Sequence, residues 1–234
     1  MRGLSEIRPR VCATVVEGDV AKMVEVAFEA AAKGADLVEL RLDMLPTLAR
    51  RDIELVFRGL APLSLPKIAT VMPASTLGKY AGSEGKRGSL LLDAAVFADY
   101  VDLGIEMGEE NIERCLSGLD GKKAEPIISW HSETPLSEEE IKGFVDTQPK
   151  GTICKAVMRA SSQRDNLVAL NACAGLEGRR RIVFCYGEKG VLSRVASPLF
   201  GSEWTYASVA KGKEGAPGQL DVIAMRSIYE VLGI

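Results

Sequence analysis

The stretch GTICKAVMRA, residues 151–160, places a single cation, Lys155, inside an apolar run. Lysine is among the residues least often fully buried without a partner. Either it snorkels its ammonium to water from an edge strand, or the amine is held in a dry pocket. In the second case desolvation alone is expected to lower its pKa, and a neutral amine near pH 7 attacks a carbonyl carbon to form an imine. His131, the only histidine in the chain, ends the run IISWH. It is the one side chain whose ordinary pKa lies near neutrality, which suits a proton shuttle. In VELRLD, residues 38–43, period-2 alternation puts Glu39, Arg41 and Asp43 on one face. Charges on a buried face need partners, so the trio is either a salt bridge or a polar floor that positions a hydroxylated ligand. Arg194, in GEKGVLSRVASPLFGS, offers a planar fork that suits a carboxylate. Gln219, in the tight loop EGAPGQL, offers both a donor and an acceptor.

The elements that must position these groups alternate along the chain. Strand-like runs occur at 10–17, 37–43, 67–72, 100–107, 126–131, 151–158, 181–187 and 204–210. Their starts recur at the spacing of a strand–loop–helix unit. Helical patterns fill the gaps. DVAKMVEVAFEAAAKG opens at Asp19, an N-cap type, and closes at Gly34, with Val20, Met23, Val24 and Ala27 on one face. SEEEIKGFVDTQ begins with the capping-box spacing of Ser137 and Glu140. Eight β–α units in 234 residues predict a single (β/α)8 TIM barrel over residues 1–234. An open doubly wound sheet is the competing architecture, but no G-x-G-x-x-G follows the first strand. In a barrel, chemistry belongs at the C-terminal strand ends, and His131 and Lys155 fall on neighbouring strands.

Composition narrows the functional classes. Charged residues are 26% and the net charge is −3, so neither nucleic acid nor a membrane surface is an expected partner. Five cysteines without C-x-x-C spacing fit reduced, buried thiols better than zinc or a disulfide framework. MRGLSEIRPR has no apolar core of a leader, and no apolar run is long enough to span a bilayer. A cytoplasmic protein is expected.

With these residues in place, the sequence resembles the type I 3-dehydroquinate dehydratase family of the shikimate pathway. The likeness is carried by ELRLD, IISWH, CKAVMRA and SRVASPLFGSEWTYA…APGQ, in that order along the chain. It implies a barrel, usually dimeric, that needs no metal or organic cofactor and takes the small molecule 3-dehydroquinate. It also implies that Lys155 forms an imine with the C3 ketone, and that His131 removes a C2 proton and protonates the departing C1 hydroxyl in a syn elimination. By the same resemblance Glu39 and Arg41 bind ring hydroxyls, Arg194 and Gln219 hold the carboxylate end, and Thr14 stands where the family often has serine. Glu84, in SEGKR, resembles the glutamate of the family's E-G-G loop that pairs with the histidine.

The chain departs from the family pattern at two positions. Met72 occupies the place of the arginine in T-x-R, and Gly215 stands where a serine commonly precedes A-P-G-Q. The segment 72–87 reads as a glycine-containing loop able to act as a lid, with Lys79, Lys86 and Arg87 as replacement cations. A class I aldolase or a non-catalytic metabolite-binding barrel are the rival functions. The A-P-G-Q and ELRLD stretches argue against the first, and the Lys155–His131 pair argues against the second.

Overall fold

A computed structural model describes residues 8–234. The reading of MRGLSEIRPR as free of a leader, and the start of the barrel at residue 1, fall largely on residues 1–7, outside the described residues. Eight parallel strands alternate with eight helices: β1 (Val11–Val15), α1 (Val20–Ala32), β2 (Leu37–Arg41), α2 (Arg50–Gly59), β3 (Lys67–Thr70), α3 (Glu84–Ala94), β4 (Tyr100–Gly104), α4 (Glu109–Leu119), β5 (Glu125–Ser132), α5 (Glu138–Thr147), β6 (Ile153–Arg159), α6 (Arg164–Gly175), β7 (Arg181–Tyr186), α7 (Val191–Ala196), β8 (Thr205–Ser208) and α8 (Val222–Val231). The ladder runs without a break as β7-β6-β5-β4-β3-β2-β1-β8. The two edge strands approach through a bridge between Arg181 and Ser202. There the Ser202 hydroxyl accepts from Val183 N at 3.0 Å. The result is a nearly closed (β/α)8 barrel.

Local chemistry fixes the helix starts. Asp19 accepts from Lys22 N at 2.9 Å, and Ser137 and Glu140 form the full capping box. Each satisfies backbone N–H groups that a helix start leaves orphaned. The helices lay apolar stripes such as Met23, Val26, Ala27 and Ala30 against the outside of the sheet. All five cysteines are free and buried.

The barrel interior is layered. At the N-terminal end, Cys12, Leu37, Ile68, Ile127, Ile153, Ile182 and Trp204 form an apolar floor. Two residues along each strand the inward position becomes Thr14, Glu39, Thr70, Asp102, Ser129, Lys155, Phe184 and Tyr206, all buried. This second layer places charge where an ordinary barrel of this kind has branched aliphatics.

Two expectations are corrected here. Strand β2 ends at Arg41, and a 3₁₀ turn over Leu42–Met44 carries Asp43. The trio is therefore not set by alternation, although the turn still brings Asp43 to Arg41. The segment 72–87 is not one loop. Ser83 caps α3, accepting from Lys86 N, so Glu84, Lys86 and Arg87 are helical. The remaining loop is folded on itself: Tyr80 N donates to Met72 O at 3.1 Å and Ala74 N to Tyr80 O at 2.8 Å. Asp43 fastens both ends, accepting from Met72 N at 3.2 Å and Lys79 N at 3.1 Å.

Candidate active site

Above the charged layer opens a pocket enclosing about 460 Å³, bordered by Thr14, Glu39, Arg41, His131, Lys155, Arg194 and Gln219 together with Met72, Leu77, Phe184, Tyr186, Tyr206, Gly215 and Ala216. Of the eight residues to which the resemblance gives a catalytic or substrate-binding role, seven thus converge on one cavity at the C-terminal strand ends. Glu84 is the exception.

Lys155 is 3% exposed. Its Nζ donates to Asp102 Oδ2 at 2.8 Å and lies 3.7 Å from Glu39 Oε1. Asp102 also accepts from the Ser129 hydroxyl. Glu39 accepts from Thr14 Oγ1 at 3.1 Å and from Thr70 Oγ1 at 3.0 Å. The expectation of a depressed lysine pKa is overturned. Desolvation, the largest single influence, does pull it down, but Asp102 and Glu39 among its neighbours more than compensate, and the net direction is upward. The Asp102 carboxyl moves the other way. Burial pushes it up, yet the Lys155 ammonium and the hydroxyl of Ser129 hold it below the usual carboxylate range. The resting pair is an ammonium and a carboxylate.

His131 lies on β5 one layer nearer the mouth, since Ser129 is the residue registered with Lys155. Desolvation pushes its pKa down to about 3, with Lys155, Arg41 and Arg87 acting in the same direction and Asp102 opposing them. The imidazole is therefore neutral at neutral pH. Among the described residues it makes no side-chain hydrogen bond or ion pair. The expected Glu84 partner is elsewhere. Glu84 sits in the first turn of α3 and pairs with Arg87 at 2.6 Å. Arg87, 2% exposed, also donates to Glu106 Oε1 at 2.8 Å. Behind His131 a smaller cavity is bordered by Asp102, Arg87, Glu106, Thr70 and Ser129. Of the three replacement cations expected near Met72, Arg87 is the one beside this cavity, while Lys79 and Lys86 are exposed.

Arg41 gives Nε and Nη2 to Asp43 at 2.9 and 2.8 Å, and Nη2 also reaches Leu77 O at 3.1 Å. The bidentate bond fixes the guanidinium plane at the rim. Arg194, on α7, is 2% exposed and its guanidinium lies 4.7 Å from the Phe184 ring centre. Burial lowers its pKa to about 10, so it stays cationic at neutral pH. Among the described residues its Nε has no hydrogen-bond partner. Gln219 bridges the last loop to β1, donating to Thr14 Oγ1 at 3.1 Å and accepting from Gly215 N at 2.7 Å.

Sequence reasoning missed Asp102, Ser129, Thr70 and Tyr206. Asp102 carried the same signal as Lys155, a charge inside the apolar stretch YVDLGI, and a buried cation demands a buried anion. Among the described residues, no group of three or more His, Cys, Asp or Glu side chains is arranged to hold a metal ion, and no helix is long and apolar enough to cross a membrane.

Known proteins give the same picture. The model of the family described as type I 3-dehydroquinase matches residues 11–234. A 3-dehydroquinate dehydratase of Methanothermobacter thermautotrophicus is 33% identical over 221 residues, covering 94% of this chain and 95% of that protein. One from Methanopyrus kandleri is 34% identical over 227 residues, covering 95% of this chain and all of that protein (100%). Among solved structures, the type I enzyme of Clostridium difficile superposes with a TM-score of 0.87 at 22% identity, covering 97% of this chain and 93% of that one; at that identity the likeness speaks for the fold. A family match over nearly the whole described chain, with relatives above 30% identity across their length, leaves one assignment: the chain belongs to the type I 3-dehydroquinase family.

Proposed function

We propose that this protein is a single-barrel lyase that dehydrates 3-dehydroquinate to 3-dehydroshikimate through an imine on Lys155. The observation that carries the reading is the buried Lys155 amine beside Asp102 and Glu39, at the base of a pocket that also holds His131 and Arg194.

The raised pKa of Lys155 is compatible with imine chemistry once charge is followed through the reaction. An ammonium and a ketone become a protonated imine and water. The positive charge is on Nζ before and after the reaction; in between it passes with a proton to His131, so that the free amine attacks, and two ammonium protons leave in all with the carbonyl oxygen. Asp102 and Glu39 therefore neutralise the same charge before and after the bond forms. They favour the iminium, which is the electron sink for the next step. The proton movements fall to His131, which is neutral at neutral pH and so has a ring nitrogen open to a proton. It ferries protons from Nζ to the leaving oxygen. It then takes the C2 proton and returns it to the C1 hydroxyl as water departs. Hydrolysis of the imine frees the product.

Arg194 holds the substrate carboxylate, with Gln219 beside it. Glu39 and Arg41 meet ring hydroxyls, and Thr14 steadies Glu39. Glu84, bound to Arg87, acts on His131 only through the Arg87 cation. The test is direct. With 3-dehydroquinate, absorbance of a conjugated enone should rise, and borohydride should add a ligand-sized mass to the peptide containing Lys155. Absence of the enone, or an adduct on another lysine, overturns the reading.

The same proposal covers assembly and place. A cytoplasmic homodimer is supported by the family's habit and by the exposed apolar Leu167, Leu192 and Phe200 on α6, α7 and the turn that follows. Sedimentation at a single-chain mass would sink the dimer.

A further inference from the structure

The inner face of β8 presents three buried polar atoms that have no hydrogen-bond partner among the described residues: Trp204 Nε1, Tyr206 OH and Ser208 Oγ. Of the three residues, Tyr206 is the one that borders the active-site pocket. Its ring packs against Phe184 with centres 6.0 Å apart, and Lys155 Nζ lies 4.6 Å from the Tyr206 ring centre. A buried hydroxyl left without a partner is unfavourable, and a packed ring next to the reacting amine is a costly place to leave one.

The donors around Lys155 make the assignment specific. Ser129 donates to Asp102, while Thr14 and Thr70 donate to Glu39. Arg41 gives Nε and Nη2 to Asp43. Each of these hydroxyls is committed to a carboxylate that serves the Lys155 charge. A carbonyl carbon bonded to Nζ lies about 1.5 Å from it, so its oxygen arrives beside the Tyr206 ring. It then meets two carboxylates, which only accept, the His131 imidazole that carries the protons, and the uncommitted phenol, the one hydroxyl there free to stay as a standing donor. Building on the imine reading above, we propose that the Tyr206 hydroxyl donates a hydrogen bond to the oxygen on the carbon that Lys155 attacks.

The phenol acts there as a fixed dipole. Burial pushes its pKa well above the ordinary value, so Tyr206 keeps its proton. The two protons that leave with the oxygen still come from the Lys155 ammonium by way of His131. Tyr206 polarises the ketone and stabilises the oxygen as its electron density rises during attack, in the manner of an oxyanion-hole donor.

Tyr206→Phe removes the hydroxyl and keeps the ring. In rapid mixing with 3-dehydroquinate and borohydride, the rate of mass-adduct formation on Lys155 should fall about 10–100-fold. KM should change no more than about 3-fold. The melting temperature of the free protein should hold or rise by about 2–4 °C, because an unpartnered buried hydroxyl has been removed. A merely structural tyrosine would not combine slower imine formation with an undiminished melting temperature. Adduct formation at the wild-type rate overturns the proposal, and so does a lowered melting temperature, which would give the hydroxyl a partner inside the fold. If the wild-type protein itself forms no adduct, the imine reading falls first and this one with it.

Discussion

Around Lys155 the polar groups are closed on one another, with Asp102, Ser129, Glu39, Thr14 and Thr70 joined to the ammonium in one network. Across the pocket, Arg194 Nε and the Tyr206 hydroxyl have no partner among the described residues. The first region is complete before any ligand arrives. It fixes the charge of one amine in a medium where an unpaired charge is prohibitive. The second region holds unmet hydrogen-bonding capacity, which a ligand satisfies. The contrast separates the residues that hold the charge of the amine from those whose polar atoms wait for the ligand.

The sharpest way to break the contrast is to remove the centre of the closed network. Lys155→Ala should abolish both turnover and the borohydride adduct. It should also cost about 3–5 kcal/mol in urea unfolding, because two buried carboxylates lose their cation. Wild-type stability in this variant would mean that the network does not depend on Lys155. Asp102→Asn should come next. The amine loses its strongest upward influence while burial still pulls its pKa down. Adduct formation should then extend to lower pH, with kcat reduced about 10²–10³-fold as the iminium loses a carboxylate. An unshifted pH profile would remove Asp102 from the role given it.

On the open side, Arg194→Ala should raise KM about 10–100-fold with a smaller change in kcat, since a charge-assisted bond to a carboxylate is worth about 1.5–3 kcal/mol. An unchanged KM would place Arg194 outside substrate recognition. Titration gives a further test. His131 has a pKa of about 3 in the fold, below its unfolded value of about 6.5. Its contribution to stability is therefore full above about pH 6.5 and is lost as the pH falls towards 3. The wild-type melting temperature should drop more steeply across that window than that of His131→Gln, and parallel curves would deny the shift. The smallest effect belongs to Glu84→Gln, with kcat within about 3-fold of wild type, because its bond is to Arg87, which keeps Glu106. A hundredfold loss would return Glu84 to the side of His131.

Much of this was legible from residue order. Period-2 runs separated by capped helices gave the barrel, and charged or titratable residues near strand ends marked the pocket, because an inward polar side chain has few reasons to be there. Lys155 was read with its burial but without its partner, so its pKa was expected to move the wrong way; Asp102, on β4 two strands from Lys155, reverses the direction. Glu84 was placed by likeness of a short motif. In the fold the Ser83 hydroxyl accepts from Lys86 N and starts α3 there, and the first turn of that helix sets the Glu84 carboxylate beside Arg87. Tyr206 was hidden for another reason. A tyrosine in an apolar strand reads as core, and only the tertiary structure reveals that its hydroxyl is unmatched.

The gap between β7 and β8 gives the cylinder the mechanics of a rolled strip. Its free edges are held by one bridge and by side-chain contacts such as that of Ser202 with Val183. The Lys155 network spans β1 to β6, all within the unbroken ladder, and cannot widen without tearing strand pairs. Tyr206 and Arg194 belong to the lips of the seam, on β8 and on the helix leading to it. β8 is paired on one side only, along β1, so the lips of the seam owe their placement to that pairing and to packing, and the amine owes its charge and its aim to the continuous ladder.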